Sequence, residues 1–444
     1  MYETIVTILL ILASLGSNLK AQNSKNTWTM DECIKYAISS NLDVKNAHLD
    51  YKDSQSAMTQ ATAAFAPYIE SSVDGNVRWG RNVDQNTNTY MQIKQFSNDY
   101  KLTASMDLFD GGKTINGWRQ ARLAKDKMLN DYEKKRDDIA IEVMKAYTTA
   151  VYYKSSVLLK EKKLKTSEEL LRQAKIQYEI GVKSSNDVAL MQSTHSADES
   201  ALIAEKKNYE NSIMKLKMYM SMPVREALDV DTIVKDAQVS FGADNIEEIF
   251  RYAEENNLDA KTVKLEKKYY DLSYKTSILS VLPTISVFAQ VGTGYYKDLT
   301  GHSGASFSNQ FESNRGEIVG MTISLPLFDR LGRSTSIKHS KIGYQKMVNQ
   351  EKKVMQQLEH NIQIAIMDRD ASVVEVASRE KNVESTELAY QLASKKFDEG
   401  LLSALEIRSS AEDYFYAQLI LLSTKLTLLN QQRLVDYYKG IKSW

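Results

Sequence analysis

Residues 174–181 read AKIQYEIG, and residues 393–400, 219 positions further on, read ASKKFDEG. Three shorter motifs return in the same order at nearly the same spacing: Asn41-Leu42-Asp43 as Asn257-Leu258-Asp259, Pro67-Tyr68-Ile69 as Pro283-Thr284-Ile285, and Leu108-Phe109-Asp110 as Leu327-Phe328-Asp329. Ordered matches at a nearly constant offset indicate an internal duplication. We therefore predict one domain over residues 22–444, built from two structural repeats (28–222 and 245–444) that are joined by a linker (223–244).

The composition restricts the class of protein. The chain has 444 residues with 57 Lys plus Arg and 57 Asp plus Glu, so its formal net charge is zero. This balance argues against a nucleic-acid partner, because such proteins carry a basic excess or patch. A single cysteine, Cys33, excludes an internal disulfide. Only four prolines occur, which favours long helices, since an interior proline removes a backbone donor and clashes with the preceding turn.

The first 21 residues predict an export signal. Residues 5–15 form an apolar run that is shorter than the roughly 20 residues of a membrane-spanning helix. Such a run followed by small residues is typical of a secretory signal peptide, here residues 1–21 with cleavage after Ala21. The alternative is a buried N-terminal helix.

Two pairs of segments alternate between apolar and polar residues, a pattern that predicts strands with two different faces. Each run measures about 10 to 13 residues, the length that a tilted strand needs to cross a bilayer. We predict exposed polar hairpin loops at residues 81–98 and 297–315. The apolar positions define a predicted lipid-facing surface that consists of Ile69, Val73, Val77, Leu102, Met106, Val287, Val291, Met321 and Ile323.

Four such strands cannot form a complete membrane structure by themselves. Each unpaired edge amide costs several kcal/mol in hydrocarbon, so only a closed barrel is stable there. The smallest common closed barrels have about eight strands, so a barrel built from these strands has to be shared between subunits. The alternative is an ordinary half-buried sheet in a soluble sandwich.

Two very long helical arms follow each pair of strands. Residues 113–180 contain no proline and one glycine, and at 1.5 Å per residue a helix of this length reaches roughly 100 Å. Apolar residues at alternating steps of four and three, starting with Ile139, Val143 and Ala146, predict a coiled-coil seam. Gly181 and Gly400 fall between the arms, where glycine ends a helix and reverses the chain.

With this order of elements, the chain resembles the TolC family of outer-membrane efflux proteins. The resemblance extends from Trp28 to about Lys439, and it rests on residues 29–33 (TMDEC), on the Leu-Phe-Asp motifs after the strands, and on the turns that end in Gly181 and Gly400. It implies a mainly helical two-repeat protomer with membrane strands. Three chains, each giving four β-strands, close a 12-stranded barrel, and the long coiled-coil helices form a hollow α-barrel.

The resemblance also implies a function. Members of the family are passive exit ducts in the bacterial outer membrane, with the helical part in the periplasm, and they serve tripartite efflux or type I secretion of small molecules or proteins. The implied partners are two further copies of the chain in a homotrimer, a periplasmic adaptor (membrane fusion protein), an inner-membrane transporter of the RND, ABC or MFS type, and outer-membrane lipid.

By the same resemblance, the helical turns contact the adaptor and narrow the pore. The implied contact residues are Gly181, Val182, Gly400 and Leu401, and the implied pore residues are Glu406 and Ser409. A ring of three Glu406 carboxylates would favour cations. The alternative is a glutamate on a solvated helix face.

Neither a catalytic motif nor a cofactor or metal site is predicted. Residues 109–114 end like a phosphate-binding loop, but Asp107 stands where the motif requires a glycine. His195 and Glu199 have the i, i+4 spacing of one helix face, yet two ligands make a weak metal site. The alternative function is a periplasmic coiled-coil adaptor or scaffold protein, which leaves the alternating strands unexplained.

Overall fold

The computed structural model describes residues 27–83, 88–232, 244–300, 305–442 and 444. The predicted signal peptide at residues 1–21 lies outside these residues, and so does the middle of the predicted linker, residues 233–243. No helix in the described part of the chain combines the length and the apolar character that a membrane crossing needs.

The two halves of the chain contain the same order of elements, except that the second half has one additional short helix, α7, between its two long strands. The first half has β1 (Thr27–Trp28), α1 (Met30–Ser40), α2 (Leu42–Ala63), β2 (Tyr68–Val83), β3 (Tyr90–Phe109), α3 (Lys113–Glu179) and α4 (Ser185–Met220). The second half has β4 (Asp229–Val230), α5 (Ile246–Asn256), α6 (Leu258–Leu279), β5 (Thr284–Asp298), α7 (Phe307–Ser313), β6 (Gly316–Ser324), α8 (Gly332–Asp398) and α9 (Ala404–Tyr438). The predicted mainly helical two-repeat fold is confirmed.

Contacts divide the chain into two compact units. Among the described residues, the first unit takes 27–46, 134–232, 244–253, 359–442 and 444, and the second takes 47–83, 88–133, 254–300 and 305–358. Each unit draws on both halves of the sequence, and α3 and α8 contribute residues to both units. The second unit contains the strands β2, β3, β5 and β6, and the first contains the turns between the long helices.

The sheet of the second unit has four antiparallel strands in the order β2-β3-β5-β6. Directly paired residues of antiparallel strands point to the same side, and pairs such as Val73 with Tyr100 and Leu102 with Val291 fix the two faces. The register places on one face all nine residues of the predicted lipid-facing surface: Ile69, Val73, Val77, Leu102, Met106, Val287, Val291, Met321 and Ile323. We call this face the apolar face.

The two predicted hairpin loops contain more regular structure than the sequence pattern indicated. β2 continues to Val83 and β3 already begins at Tyr90, so most of the predicted loop at 81–98 is paired strand. The predicted loop at 297–315 contains the end of β5 and the whole of α7. The prediction was wrong here because backbone hydrogen bonds continue a ladder into polar sequence, where side-chain alternation gives no signal.

The coiled-coil seam predicted for α3 lies in the core of the first unit. Ile139, Val143, Ala146 and Ala150 are all buried. On α4, Ile213, Leu216 and Met220 follow the same steps of three and four, and they are buried as well. The four-and-three spacing therefore identified the packed face of these helices.

The repeated Asn-Leu-Asp motif begins a helix in both halves. The side-chain oxygen of Asn41 accepts hydrogen bonds from the backbone N–H groups of Asp43 (2.8 Å) and Val44 (3.2 Å) at the start of α2. Asn257 accepts the equivalent bonds from Asp259 (2.9 Å) and Ala260 (3.3 Å) at the start of α6. The first N–H groups of a helix lack partners within the helix, which gives this duplicated asparagine its physical role.

Candidate functional site

The turn between α3 and α4 and the turn between α8 and α9 lie against each other in the first unit. A single apolar cluster joins the helix ends on both sides of the two turns. Its buried members are Leu170, Leu171, Ala174, Met191, Phe397, Ala404 and Ile407. Because residues from all four helices share this cluster, the two turns form one structural site, which we call the turn pair.

Both turns use the same backbone device, a Schellman motif with a left-handed glycine. Gly181 has a φ of 80°, its N–H donates to the Tyr178 carbonyl (3.0 Å), and the Val182 N–H donates to the Gln177 carbonyl (2.8 Å). In the second turn, the φ of Gly400 is 77°. There the N–H groups of Gly400 and Leu401 donate to the carbonyls of Phe397 (3.0 Å) and Lys396 (2.9 Å).

The two glycines differ in their surroundings. A Cβ placed on Gly400 would lie 2.9 Å from Cγ1 of Val182, a side chain of the other turn. A Cβ on Gly181 would meet no atom within 4 Å. Gly400 is therefore required by both the left-handed backbone and the close approach of the first turn, whereas Gly181 is required by the backbone alone.

Polar contacts also join the turns, and two side chains of the first turn donate to carbonyls of the second. The Gln177 side-chain amide donates to the carbonyls of Phe397 (3.0 Å) and Asp398 (3.3 Å). The Lys183 ammonium donates to the Leu402 carbonyl, and it lies 5.1 Å from the centroid of the Phe397 ring. Two of the accepting carbonyls, those of Phe397 and Asp398, lie at the end of α8, where the helix itself supplies no N–H partner.

A capping box begins each of the two returning helices. At the start of α9, the Glu406 carboxylate accepts from the Ser403 N–H (3.0 Å) and hydroxyl (2.6 Å), and the Glu406 N–H donates to the Ser403 hydroxyl (3.3 Å). Ser184 and Asp187 make the same three bonds at the start of α4. The predicted pore residue Glu406 thus has a second role, which is to hold the start of α9.

Hydrogen bonding keeps Glu406 ionised. The hydroxyl of Ser403, followed by its backbone N–H, lowers the pKa of the Glu406 carboxyl, and the positive charges of Lys183 and Lys396 act in the same direction. The carboxylate is exposed. The site therefore presents a fixed negative charge to solvent beside the second turn.

The structure brings the remaining predicted residues of the turns to the surface. Val182 is 52% exposed, Leu401 is 73% exposed, and Ser409 is exposed on α9 one helical turn after Glu406. Ile180 (70%) and Leu405 (55%) enlarge the exposed apolar surface of the turn pair, and neither was predicted from the sequence.

The capping residues and the two bridging side chains were also missed. The spacing Ser-x-x-Asp at 184–187 and Ser-x-x-Glu at 403–406 is the sequence signal of a capping box and could have identified the first group. Gln177 and Lys183 carry no local signal, because their acceptors lie about 220 residues away in the sequence. Within the described ranges, no cluster of three or more His, Cys, Asp or Glu side chains is placed to hold a metal ion.

Known proteins share both part of the sequence and the fold. Residues 33–220 match the family model described as outer membrane efflux protein. The solved structure of the outer membrane protein VceC from Vibrio cholerae is 14% identical, with a TM-score of 0.79 over 93% of this chain and 97% of that chain. No curated protein matches the sequence significantly.

Two outer membrane channels have the same architecture. The Campylobacter jejuni CmeC channel is 14% identical, with a TM-score of 0.79 over 94% of this chain and 86% of that chain. The Neisseria gonorrhoeae MtrE channel is 17% identical, with a TM-score of 0.74 over 93% and 88%. At these identities, the structures establish the fold. Together with the family match over residues 33–220, they agree with the predicted resemblance: the chain has the fold of these outer membrane channels.

Replacing Gly400 with alanine should loosen the turn pair more than the same change at Gly181. Both variants place a Cβ in the left-handed region, at a cost of about 1–2 kcal/mol, but only Gly400→Ala also meets Val182. Limited trypsin digestion at Lys183, Lys395 and Lys396 should be faster in Gly400→Ala than in Gly181→Ala. Adding Val182→Ala to Gly400→Ala should slow cleavage again. Equal cleavage of the two glycine variants would contradict the proposed contact.

Acidification should remove the contribution of Glu406 to the turn. Because folding lowers the pKa of this carboxyl, its stabilisation is present above the unfolded pKa of about 4.3 and is lost as the pH falls through the folded value. Hydrogen exchange in residues 400–410 should be slower in the wild type than in Glu406→Gln at neutral pH. The two proteins should converge once the pH lies below the folded pKa of this carboxyl. A difference that persists unchanged at low pH would show that the carboxylate charge does not hold the turn.

Proposed function

We propose that this chain is one protomer of a homotrimeric outer-membrane channel, the passive exit duct of an efflux or type I secretion assembly. The observation that carries the proposal is the four-stranded sheet with one apolar face and two open edges. The family match and the shared fold support the same function.

The apolar face is exposed to an extent that suits lipid and not water. Ile69, Val73, Met321 and Ile323 are each 60–64% exposed, although neighbouring positions on the other face carry Glu70, Ser72 and Thr322. A contiguous apolar surface of this kind marks a membrane or protein interface. In the proposed assembly, all nine residues of the predicted lipid-facing surface contact outer-membrane lipid.

The edges of the sheet require further copies of the chain. Within the described residues, β2 and β6 each pair on one side only. Backbone groups in hydrocarbon must be paired, so the edge of β6 has to meet β2 of a neighbouring protomer until the barrel closes. Three copies with four strands each give the proposed 12-stranded barrel.

The first unit also exposes a surface suited to neighbouring helices. Apolar residues follow one another along α8 at steps of three, seven, fourteen and four positions, which are the steps of a heptad pattern. These residues are 42–64% exposed, and they are Ile364, Met367, Val374, Leu388 and Leu392. In the proposed trimer, helices of the next protomer cover them, and together the helices build the periplasmic α-barrel.

The turn pair provides the proposed contacts of the periplasmic end. Its exposed apolar residues, among them Val182 and Leu401 beside Gly181 and Gly400, form the proposed surface for a periplasmic adaptor. Glu406 and Ser409 are the proposed pore residues, with three Glu406 carboxylates forming a negative ring. An inner-membrane transporter of the RND, ABC or MFS type completes the proposed assembly.

The location and assembly of the chain test the proposal directly. The wild type should fractionate with the outer membrane as a trimer that resists detergent and dissociates on heating. Val73→Arg should lower the trimer yield, because an arginine at the middle of the lipid face costs roughly 2–4 kcal/mol. Ser72→Arg, one residue away on the polar face, is the matched control. A soluble periplasmic wild type, or equal assembly of the two variants, would overturn the proposal.

Conductance measurements test the pore role of Glu406. In planar bilayers, Glu406→Gln should reduce the preference for cations, because a ring of carboxylates favours them. Asp187→Asn is the control, since it alters the equivalent capping box in the first turn but not the proposed ring. Selectivity that is identical in the wild type and Glu406→Gln would place the pore constriction elsewhere.

A further inference from the structure

The strands β5 and β6 differ in length, and β5 extends past its partner. β6 pairs with β5 from Ser324 opposite Thr284 to Gly316 opposite Gly292. β5 then continues to Asp298 alongside β3. Among the described residues, no strand pairs with β5 on its β6 side at residues 293–297. We call the end of the sheet that includes Val83, Tyr90 and Asp298 the loop margin.

The short helix α7 takes the place of the missing strand. The buried side chain of Gln310 accepts from the Tyr296 N–H (3.0 Å) and donates to the Tyr296 carbonyl (2.9 Å). This pair of bonds is the one that an opposing residue of a strand would make. The Asn314 side-chain amide donates to the Gly294 carbonyl (2.7 Å) two residues earlier. Side chains thus complete the open edge of β5 at the loop margin.

Aromatic contacts hold α7 on the apolar face. The ring centroids of Phe311 and Tyr100 are 5.4 Å apart, and those of Phe307 and Tyr295 are 5.2 Å apart, both in edge-on geometry. Contacts of this kind contribute about 0.5–1.5 kcal/mol beyond the area that they bury. Phe307 and Phe311 nevertheless remain 47% and 40% exposed. Both side chains therefore keep surface for further contacts.

Closure of the barrel brings a second strand edge to this helix. The inference rests on the trimeric barrel proposed above, in which β6 of one protomer pairs with β2 of the next. β6 has nine residues and β2 has sixteen. Pro67 precedes β2 and Pro326 follows β6, so the first residue of β2 and the last residue of β6 lie at the same margin of the sheet. The additional residues of β2 therefore extend toward the opposite margin, the loop margin, where α7 lies.

The chemistry of the two surfaces is complementary. The excess part of β2 exposes Trp79 and Val83, which match the exposed phenylalanines of α7. Arg81 lies in the same part, and its guanidinium stands 4.5 Å from the centroid of the Tyr90 ring. On α7, the Glu312 carboxylate is exposed. We propose that α7 of each protomer packs against residues 77–83 of the neighbouring protomer and stabilises the barrel at the loop margin. We call this interaction the α7 contact.

Cysteine cross-linking in assembled trimers tests this contact. The test protein carries Glu312→Cys and Arg81→Cys. The closure control carries Thr322→Cys and Ser72→Cys on the polar faces of β6 and β2. A short bifunctional maleimide should convert most of both proteins to covalent trimers on denaturing gels, while each single-cysteine variant stays at the monomer position. Cys33 can remain, because it is fully buried and burial raises the pKa of its thiol to about 12.

The outcomes distinguish failure of the proposed α7 contact from failure of the proposed trimeric barrel. If the closure control forms covalent trimers and the test protein does not, the proposed α7 contact is wrong and the trimeric barrel is retained. In that case lipid or solvent covers α7. If neither protein forms covalent trimers, the proposed barrel is wrong, and the α7 contact that depends on it is wrong as well.

A variant of α7 adds an independent readout. Gln310→Ala removes the two bonds to Tyr296 and should reduce cross-linking of the test protein while the closure control is unchanged. Asn309→Ala on the exposed side of the same helix is the matched control and should change neither. Unchanged cross-linking of the test protein in Gln310→Ala would show that Gln310 does not position α7 for the α7 contact.

Discussion

The pairing of backbone groups at the edges of the sheet is the constraint on which the rest of the structure depends. A strand that crosses hydrocarbon cannot leave its N–H and carbonyl groups open, and the described sheet ends in two open strands, β2 and β6. The duplication supplies two hairpins, which is too few for a closed barrel. Assembly of several copies follows from this shortage, and the long helices extend from strands that only the assembled copies can complete.

Helix ends account for most of the motifs that the duplication preserved. The two asparagines of the Asn-Leu-Asp motif cap α2 and α6. Asp110 and Asp329 of the Leu-Phe-Asp motif accept from the first N–H groups of α3 and α8. The turn glycines end α3 and α8 in left-handed geometry. Short polar residues and glycine hold such positions because the geometry of a helix end admits few alternatives, so they persist where surface residues diverge.

The sequence predicted those parts of the structure in which local chemistry and periodicity act together. Alternation assigned nine residues to one face of the sheet, and the four-and-three steps identified the buried seam of α3. The extent of the strands was not predictable, since the ladder continues through polar residues to Val83 and from Tyr90. α7 was missed for a related reason: it has seven residues, and Gln310 acquires its role only beside the open edge of β5.

The turn pair shows how a duplicated framework becomes asymmetric. The backbone motif and the capping box are the same in both turns, but Lys183 corresponds to Leu402 and the exposed Tyr178 corresponds to the buried Phe397. In the Gln177 and Lys183 contacts, the first turn consequently supplies the donors, and the second supplies the carbonyls and the ring that they contact. The Glu406 carboxylate is hydrogen-bonded to Ser403 of its own turn, and it keeps an exposed charge. The divergence of the two halves thus leaves one turn to brace the pair and the other to present the acid.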